Sequence, residues 1–454
     1  MNWLATSLSL ALCHGWAPSK SFLPSMRQKN TILYQTKHDY NVVFRPSTDE
    51  DSFDSFKLGT ARVHRYSDPD SGMDDSEYIM WYHARDPSLN SADNSLPPLS
   101  TGRIGRATSR NGLVWERDED GSNDADREGV ALGLNTESWW GFDTAHVGLG
   151  QVLMPMTGPA IRSEGGVYMM YYMGGSYEET KIAEYTEREV PEDAMIKGMK
   201  LKIGTAISQD GVTWGRVEGN DPSGACMVPY DASDVNMEDV AGSKDENGQL
   251  LDIPEELYCG WPEVVVNPVN ENENEEKAMK DTSRNNFVMY YSTMLKDTKE
   301  KSIGYAVSYN GFAWSKRGIV LKPSGPLDGA GCARSNVIKK ATLNEEGFWK
   351  EEENGWIMFY EGVSSEDGRH RILAAESDDL KNWNKLGLVM DVGEGEDAWD
   401  SKGVGSPHCI RLDGYFRMYY TGEGADGQTA IGVAKSLDLS SWEKEQAEVS
   451  FAFE

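Results

Sequence analysis

Residues 203–214 read IGTAISQDGVTW, and this stretch decides the fold. Its alternating small and apolar residues suit a strand that packs closely against a neighbour. Asp210-Gly211 is a tight-turn dipeptide, because both residues tolerate positive φ. The stretch therefore predicts a β-hairpin that closes just before Trp214.

The same signature occurs five times along the chain. Its copies span residues 104–115, 203–214, 303–314, 372–383 and 431–442, and each ends in tryptophan. An aromatic strand precedes every copy, as in Met169-Met170-Tyr171-Tyr172, and a further strand precedes each aromatic one. Five units of four strands predict an all-β, five-bladed β-propeller. A β-sandwich or a parallel β-helix is the alternative, but neither requires a four-strand repeat.

The first 38 residues differ from the rest of the chain. They contain no Asp or Glu, and residues 4–12 have the length of a signal-peptide core but not of a membrane span. The junction Cys13-His14-Gly15-Trp16-Ala17-Pro18 looks like the cleavage motif of bipartite plastid-targeting sequences. We therefore expect a targeting segment over residues 1–38, a propeller over residues 39–454 and a plastid location, with secretion as the alternative.

Composition limits the partners. A net charge of -30 would repel a phosphate backbone, so we expect no nucleic-acid partner, and no later segment is apolar enough to predict a membrane span. We expect a monomer whose ring closes by pairing of residues 451–453 with residues 40–44. Four cysteines remain beyond the leader without metal-site spacing, which predicts free thiols.

A third repeated element should form the innermost strands. It starts with an acidic residue, namely Asp54, Asp143, Glu255, Asp328 and Asp400, and most of these acids are expected to accept backbone hydrogen bonds. The eighth position after the acid diverges completely, with Arg62, Gln151, Glu263, Asn336 and His408. The sixth position also diverges, with Thr60, Leu149, Trp261, Arg334 and Ser406. On a regular strand these positions share a face, which predicts a two-tier ring at the propeller mouth that binds a polar ligand.

Glu263 is the single carboxylate of this ring and the first catalytic candidate. It lies beside Trp261 in sequence, and desolvation there would raise its pKa as a general acid requires. The alternative is an ion pair with Arg62 or Arg334 across the channel. His146 and His408 could hold water or a channel-bound cation such as calcium, and no other cofactor is expected.

Strings such as Arg417-Met418-Tyr419-Tyr420-Thr421-Gly422 and residues 399–407 resemble the arabinanase, levansucrase and invertase group of propellers, glycoside hydrolase families 43 and 32 and their relatives. The resemblance covers residues 41–454 and is closest to plastid-targeted family-43-like proteins. It implies a funnel site for a small carbohydrate or sugar derivative, with three carboxylates on inner strands. Glu263 would be the acid, Asp143 a stabilising Asp, and Asp54 the base.

Three functions stay open from the sequence. The first is a glycoside hydrolase or transglycosidase that uses Glu263, Asp143 and Asp54. The second is a non-catalytic propeller that binds a carbohydrate or a protein. The third uses Arg62, Arg334 and His408 to hold an anionic substrate such as a sugar phosphate.

Overall fold

A computed structural model describes residues 39–66, 76–87, 102–118, 127–153, 167–186, 188–233, 249–266 and 287–447. The predicted targeting segment and residues 451–453 lie outside this range, so plastid targeting stays a prediction. Regular structure in the described range is nearly all β, apart from two four-residue helices, α1 (Ile182–Tyr185) and α2 (Gly325–Asp328). None of the described helices is long and apolar enough to cross a membrane.

Each predicted unit is an antiparallel meander whose strands pair in sequence order. Unit 1 contains β2 (Lys57–Tyr66), β3 (Glu77–Arg85), β4 (Arg103–Ser109), β5 (Glu116–Arg117) and β6 (Val130–Leu132). Unit 2 contains β7 (His146–Leu153), β8 (Tyr168–Gly175), β11 (Lys202–Ser208) and β12 (Gly215–Val217), with an inserted hairpin of β9 (Glu179–Lys181) and β10 (Met195–Lys197). Unit 3 contains β13 (Glu256–Val266), β14 (Phe287–Leu295), β15 (Lys301–Ser308) and β16 (Ser315–Leu321).

The last two units are joined into one sheet by a single parallel bridge between His370 and Gly403. Unit 4 contains β17 (Gly331–Leu343), β18 (Trp349–Val363), β19 (His370–Ser377) and β20 (Asn384–Met390). Unit 5 contains β21 (Gly403–Arg411), β22 (Phe416–Glu423), β23 (Thr429–Ser436) and β24 (Glu443–Lys444). The strand β1 (Val42–Phe44) pairs with Ile431 and Gly432 of β23, so the N-terminal segment of the described chain joins the last unit.

The repeated tryptophan contacts the preceding unit. Trp214 meets Trp81 of unit 1 edge to face, with ring centroids 6.2 Å apart, and Trp115 of unit 1 meets Tyr419 of unit 5 at 6.1 Å. The other three pairs are Trp314 with Tyr171, Trp383 with Tyr290, and Trp442 with Phe359. Edge-to-face aromatic pairs stabilise beyond the area that they bury. The tryptophan thus recurs because each unit uses it to contact its neighbour, including the fifth with the first.

A hydrogen bond accompanies four of these five contacts. The hydroxyl groups of Tyr171, Tyr290 and Tyr419 and the indole of Trp81 donate to the carbonyl of the turn residue in the next unit, at 2.6–2.9 Å. Unit 4 has Phe359 at this position and supplies no such donor. Five apolar clusters fill the spaces between consecutive units, including a cluster between units 5 and 1.

Restoring the missing donor should stabilise the protein. Phe359→Tyr would place a hydroxyl near the carbonyl of Leu439, as Tyr290 does at 2.6 Å with Leu380, and we expect a gain of about 1 kcal/mol in the free energy of unfolding. Tyr290→Phe is the matched reverse change and should cost about 1–2 kcal/mol, because the carbonyl of Leu380 loses this donor. Urea denaturation of both variants checks the pair. A destabilised Phe359→Tyr variant would mean that the hydroxyl has no room.

The recurring acid anchors each unit through its second and fourth strands. Asp143 accepts from the hydroxyl of Tyr172 at 2.9 Å and from Nε of Arg216 at 2.6 Å. The equivalent sets are Asp54 with Tyr82 and Arg117, Glu256 with Tyr291 and Lys316, Asp328 with Tyr360 and Lys385, and Asp400 with Tyr420 and Lys444. In unit 3 the anchoring acid is Glu256 rather than the predicted Glu255. Of the four Asp residues expected to accept backbone hydrogen bonds, Asp328 does so from Ser324 at 2.9 Å, but the partners that recur in every unit are a tyrosine and a basic side chain.

The recurring glycine of the signature makes room for this anchor. A Cβ at Gly105 would lie 2.5 Å from the ring of Phe53 and 2.7 Å from that of Tyr82. Unit 4 has Leu373 at this position, and there Gly362 on the adjacent strand takes over, since a Cβ at Gly362 would lie 2.4 Å from Leu373. In unit 4 the side chain of Leu373 therefore fits because the neighbouring strand has a glycine there.

Candidate functional site

A β-bulge interrupts the inner strand of every unit at the diverging positions. The strand register shifts between Gly59 and Arg62 in unit 1, and at the equivalent place in the other four units. The sixth-position residues of units 1, 3, 4 and 5 adopt positive φ, namely Thr60, Trp261, Arg334 and Ser406 at 48–51°. Such a conformation is costly for these residues and often marks a functional site. The prediction that both tiers share one face assumed a regular strand, whereas the bulge directs the two tiers to different environments.

The eighth-position residues Arg62, Gln151 and Asn336 surround the carboxylate of Glu263. This side chain is 1% exposed, and its Oε1 accepts from Nδ2 of Asn336 at 2.8 Å, from the backbone of Val337 at 3.1 Å and from Nε2 of Gln151 at 3.3 Å. Nη2 of Arg62 lies 3.4 Å from Oε2. Burial raises the pKa of Glu263 to about 7. The charge of Arg62 and the hydrogen bonds from the backbone of Val337 and the side chain of Asn336 oppose this rise. The elevated pKa predicted for Glu263 is present, but so is the Arg62 ion pair that was its alternative.

Arg62 is buried beside Glu263. Its Nε donates to the carbonyl of Gly150 at 2.5 Å and its Nη1 to that of Pro407 at 3.1 Å, so one guanidinium joins units 1, 2, 3 and 5. Burial lowers the pKa of Arg62, and Glu263 opposes this. Neither Arg62 nor Glu263 lines the open cavity described below.

The two candidate histidines are buried and neutral. Nε2 of His146 lies 3.2 Å from the carbonyl of Gly198, and Nε2 of His408 lies 3.0 Å from that of Val63. Burial lowers the pKa of His146 to about 4 and that of His408 well below its ordinary value. Within the described range, no cluster of three or more His, Cys, Asp or Glu side chains could hold a metal ion. The cysteines Cys226, Cys259, Cys332 and Cys409 are free thiols, as predicted.

An open cavity of about 180 Å³ lies where the inner strands begin. Its wall includes the four bulge residues with positive φ, Thr60, Trp261, Arg334 and Ser406. Tyr258 and the second-strand residues His83, Arg85, Glu361, Thr421 and Glu423 also line it, together with Lys57, Lys301, His370 and Lys402. Four of the five sixth-position residues thus line one cavity, whereas Leu149 is not part of its wall.

Glu361 organises one side of the cavity. Its two carboxylate oxygens accept from Nη1 of Arg334 at 3.1 and 3.3 Å, from the backbone of Ser406 at 3.1 Å and contact Nδ1 of His370 at 2.7 Å. Burial works against ionisation, but Arg334 and His370 outweigh it and lower the pKa of Glu361 to about 2. The guanidinium of Arg334 also lies 4.6 Å from the ring centre of Trp261. Glu361 is therefore a fixed anion that orients Arg334.

Glu423 is the second carboxylate on the wall and is more accessible. Its side chain is 23% exposed, against 3% for Glu361. Nζ of Lys402 lies 2.8 Å from its Oε1 and Nζ of Lys57 lies 3.7 Å from the same atom. Because Glu423 lines the cavity and is partly exposed, it can reach a bound ligand.

The remaining predicted site residues lie away from the cavity. Asp54, Asp143, Asp328 and Asp400 are at most 2% exposed, and each is held in the tyrosine and basic-residue set of its own unit. Gln151 and Asn336 belong to the network around Glu263. Of the substrate-binding candidates, only Trp261 and Arg334 line the cavity.

Sequence reasoning missed the second-strand residues of the wall. The position directly after the recurring tyrosine holds His83, Met173, Ser292, Glu361 and Thr421, and four of these five line the cavity. This position diverges between units as fully as the sixth and eighth positions of the inner strand do. The same comparison of repeats, applied to the second strand, would have found Glu361.

Solved structures with a similar fold come from carbohydrate-active proteins. The RGII complex of BT0996 is 16% identical with a TM-score of 0.51, and the alignment covers 91% of this protein and 96% of BT0996. A glycosyl hydrolase from Bacteroides ovatus is 14% identical with a TM-score of 0.51, over 91% of this protein and 95% of the hydrolase. The protein shares their overall fold and is nearly all β over the residues that the structure describes. No family model matches the sequence, and no curated protein matches it.

Proposed function

We propose that the chain is a five-bladed β-propeller that binds a saccharide in the open cavity and hydrolyses or transfers its glycosyl group. The five-blade arrangement is supported by the aromatic contacts and apolar clusters, which join each unit to the next and the fifth to the first. The similar structures support the fold alone, because their sequence identity is low.

The composition of the cavity wall carries the proposal of a saccharide ligand. The aromatic residues Trp261 and Tyr258 line the cavity together with Thr60, Ser406 and Glu423. Sugars present both C–H faces and hydroxyl groups, and so need such a mixture. The volume of about 180 Å³ is below the roughly 300–1,000 Å³ of pockets for drug-sized ligands, which favours one sugar unit.

Glu423 is the best-placed group for proton transfer. A general acid or base must reach the glycosidic oxygen or a water molecule directly, and Glu423 is the more exposed of the two carboxylates on the wall. Glu361 is unsuited to this role, because both of its carboxylate oxygens already accept hydrogen bonds from Arg334, His370 and Ser406. The role of Glu263 as acid stays a prediction, although this residue would need the network around Arg62 to open.

Saccharide binding without turnover is the second candidate. Hydrolysis ordinarily uses two carboxyl groups that flank the bond, and here the second carboxylate of the wall is fixed in ion pairs. A screen of the purified full-length protein against aryl glycosides and oligosaccharides, with thermal shift recorded in parallel, separates the two candidates. Turnover supports the enzyme, and shifts without turnover support the binding protein. A protein with neither response contradicts both.

A further inference from the structure

The cavity wall carries an excess of positive charge in a strongly acidic protein. Five cations line it, namely Lys57, Arg85, Lys301, Arg334 and Lys402, against the two carboxylates of Glu361 and Glu423. The whole chain has a net charge of -30, so this concentration of cations runs against the composition. Buried like charges are costly unless a partner compensates them. A cavity with this composition is suited to an anion.

Both carboxylates of the wall already have positively charged or histidine partners. Glu361 pairs with Arg334 and contacts His370, while Glu423 lies between Lys57 and Lys402. The excess charge therefore falls mainly on Arg85 and Lys301. No ion pair joins either of these two side chains to a carboxylate in the part of the chain that the structure describes.

The cations are close enough to influence one another. Burial lowers the pKa of Arg85 to about 10 and the charge of Arg334 lowers it further, while Glu423 opposes both. Burial likewise lowers the pKa of Lys301, with Arg334 as an additional cause and Glu361 in opposition. Arg334 itself is held by Glu361 and by the ring of Trp261, so its position is fixed before any ligand arrives. An anion between Arg85 and Arg334 would relieve this repulsion and gain hydrogen bonds from two guanidinium groups.

We infer that Arg85, Arg334 and Lys301 form a binding site for the phosphate group of a phosphorylated sugar. The excess of three positive charges favours a phosphate monoester, which carries about -1.5 to -2 at neutral pH and three acceptor oxygens, over a singly charged carboxylate. Trp261 and Tyr258 on the same wall would contact the sugar ring. The sugar part of this inference rests on the proposed function, whereas the phosphate part rests on the cations.

Calorimetric titration of the full-length protein tests the site. The probes are glucose, mannose, their 1- and 6-phosphates, glucuronate and inorganic phosphate, at low salt and pH 7.5. At least one hexose phosphate should bind ten times or more tighter than its parent hexose, glucuronate or inorganic phosphate. Binding should weaken as salt is added. Equal affinity for the neutral hexose, for glucuronate or for inorganic phosphate, or no binding of any hexose phosphate, overturns the inference.

Arg85→Gln provides the matched variant. It should weaken binding of the hexose phosphate by about 10- to 100-fold, the effect of one hydrogen bond to a charged group. The same variant should raise the melting temperature of the ligand-free protein, because the repulsion from Arg334 disappears. Arg110→Gln, at an exposed position on the outer part of unit 1, should change neither quantity. A purely structural Arg85 would give the opposite result, with a lower melting temperature and unchanged affinity.

The outcomes also separate this inference from the proposed function. Turnover of a neutral glycoside without phosphate-dependent binding contradicts the phosphate site and leaves the enzyme standing. Tight binding of a hexose phosphate with no turnover of any glycoside contradicts the enzyme and leaves the phosphate site standing.

Discussion

Arg62→Met is expected to destabilise the protein by about 3–5 kcal/mol at pH 8 and clearly less at pH 5. Arg62 is 2% exposed and lies 3.4 Å from Glu263, which is 1% exposed. Removing one partner of a buried ion pair leaves the other charge uncompensated, and this costs far more than the loss of a surface pair. The carbonyl groups of Gly150 and Pro407 also lose their donor.

The pH dependence follows from the pKa of Glu263. Burial raises it to about 7 in the folded protein, above its ordinary value of 4.5, so its ionisation reduces stability as the pH rises from about 4.5 to 7. Arg62 opposes this rise, and without Arg62 the pKa of Glu263 would increase further. Above pH 7 the variant must either bury an unpaired carboxylate or keep it protonated, and both cost free energy. At pH 5 Glu263 is protonated in both proteins, so the loss of the two carbonyl hydrogen bonds remains, at about 1–3 kcal/mol.

Urea denaturation at the two pH values measures the effect. Arg411→Met is the control, because Arg411 pairs with Glu351 at 2.8 Å on the surface, where such pairs contribute about 0–1 kcal/mol. The interpretation fails if Arg62→Met costs no more than this control, or if its cost is the same at pH 5 and pH 8.

The strand order and the unit boundaries were predictable because they depend on local, repeated chemistry. Every unit contains a turn that begins with Ser-x-Asp or Ser-x-Asn, the tryptophan and the aromatic pair. Each of these features makes equivalent contacts in every unit. In unit 2, for example, Ser208 and Asp210 bond the turn, Trp214 meets Trp81, and Tyr172 anchors Asp143. Five copies of one pattern thus specify five copies of one meander.

The candidate site was only partly predictable, because the bulge is invisible in the sequence pattern. The bulge residues that adopt positive φ are Thr60, Trp261, Arg334 and Ser406, and none is a glycine that would signal such a conformation. One inserted residue separates the cavity wall from the network beneath it, so Trp261 lines the cavity while Glu263 does not. On a regular strand, alternate residues such as Trp261 and Glu263 lie on the same face. The shift in strand pairing between Gly260 and Glu263 is what separates them.

Ion pairs between residues far apart in sequence were a second feature that the sequence could not predict. Glu361 receives hydrogen bonds from Arg334, His370 and Ser406, which come from three different strands. Asp143 is the opposite case. Its position in the strand pattern resembles that of a catalytic Asp, but its hydrogen bonds give it a different role. Its partners Tyr172 and Arg216 instead make it an anchor within unit 2.

On any glycoside that the wild type cleaves, Glu423→Gln is expected to lower kcat by about 10²- to 10⁴-fold, the usual contribution of a group that transfers a proton. The amide keeps an oxygen for Lys402, so the variant should stay folded, with a melting temperature lowered by the loss of the charge between Lys57 and Lys402. Initial rates on the best substrate of the screen, together with melting temperatures, check both parts. Glu443→Gln, at an exposed position in β24, is the matched control and should change neither.

Two further variants decide between Glu423 and the residues that the sequence favoured. Asp143→Asn should lower the melting temperature, because Arg216 loses its charged partner, while the folded fraction keeps its kcat. Glu263→Gln should also act mainly on stability, since its side chain lies in the network below the cavity. If Glu263→Gln instead abolishes turnover and Glu423→Gln does not, the network around Arg62 must open during the reaction. Glu263, with its pKa of about 7, would then be the acid after all.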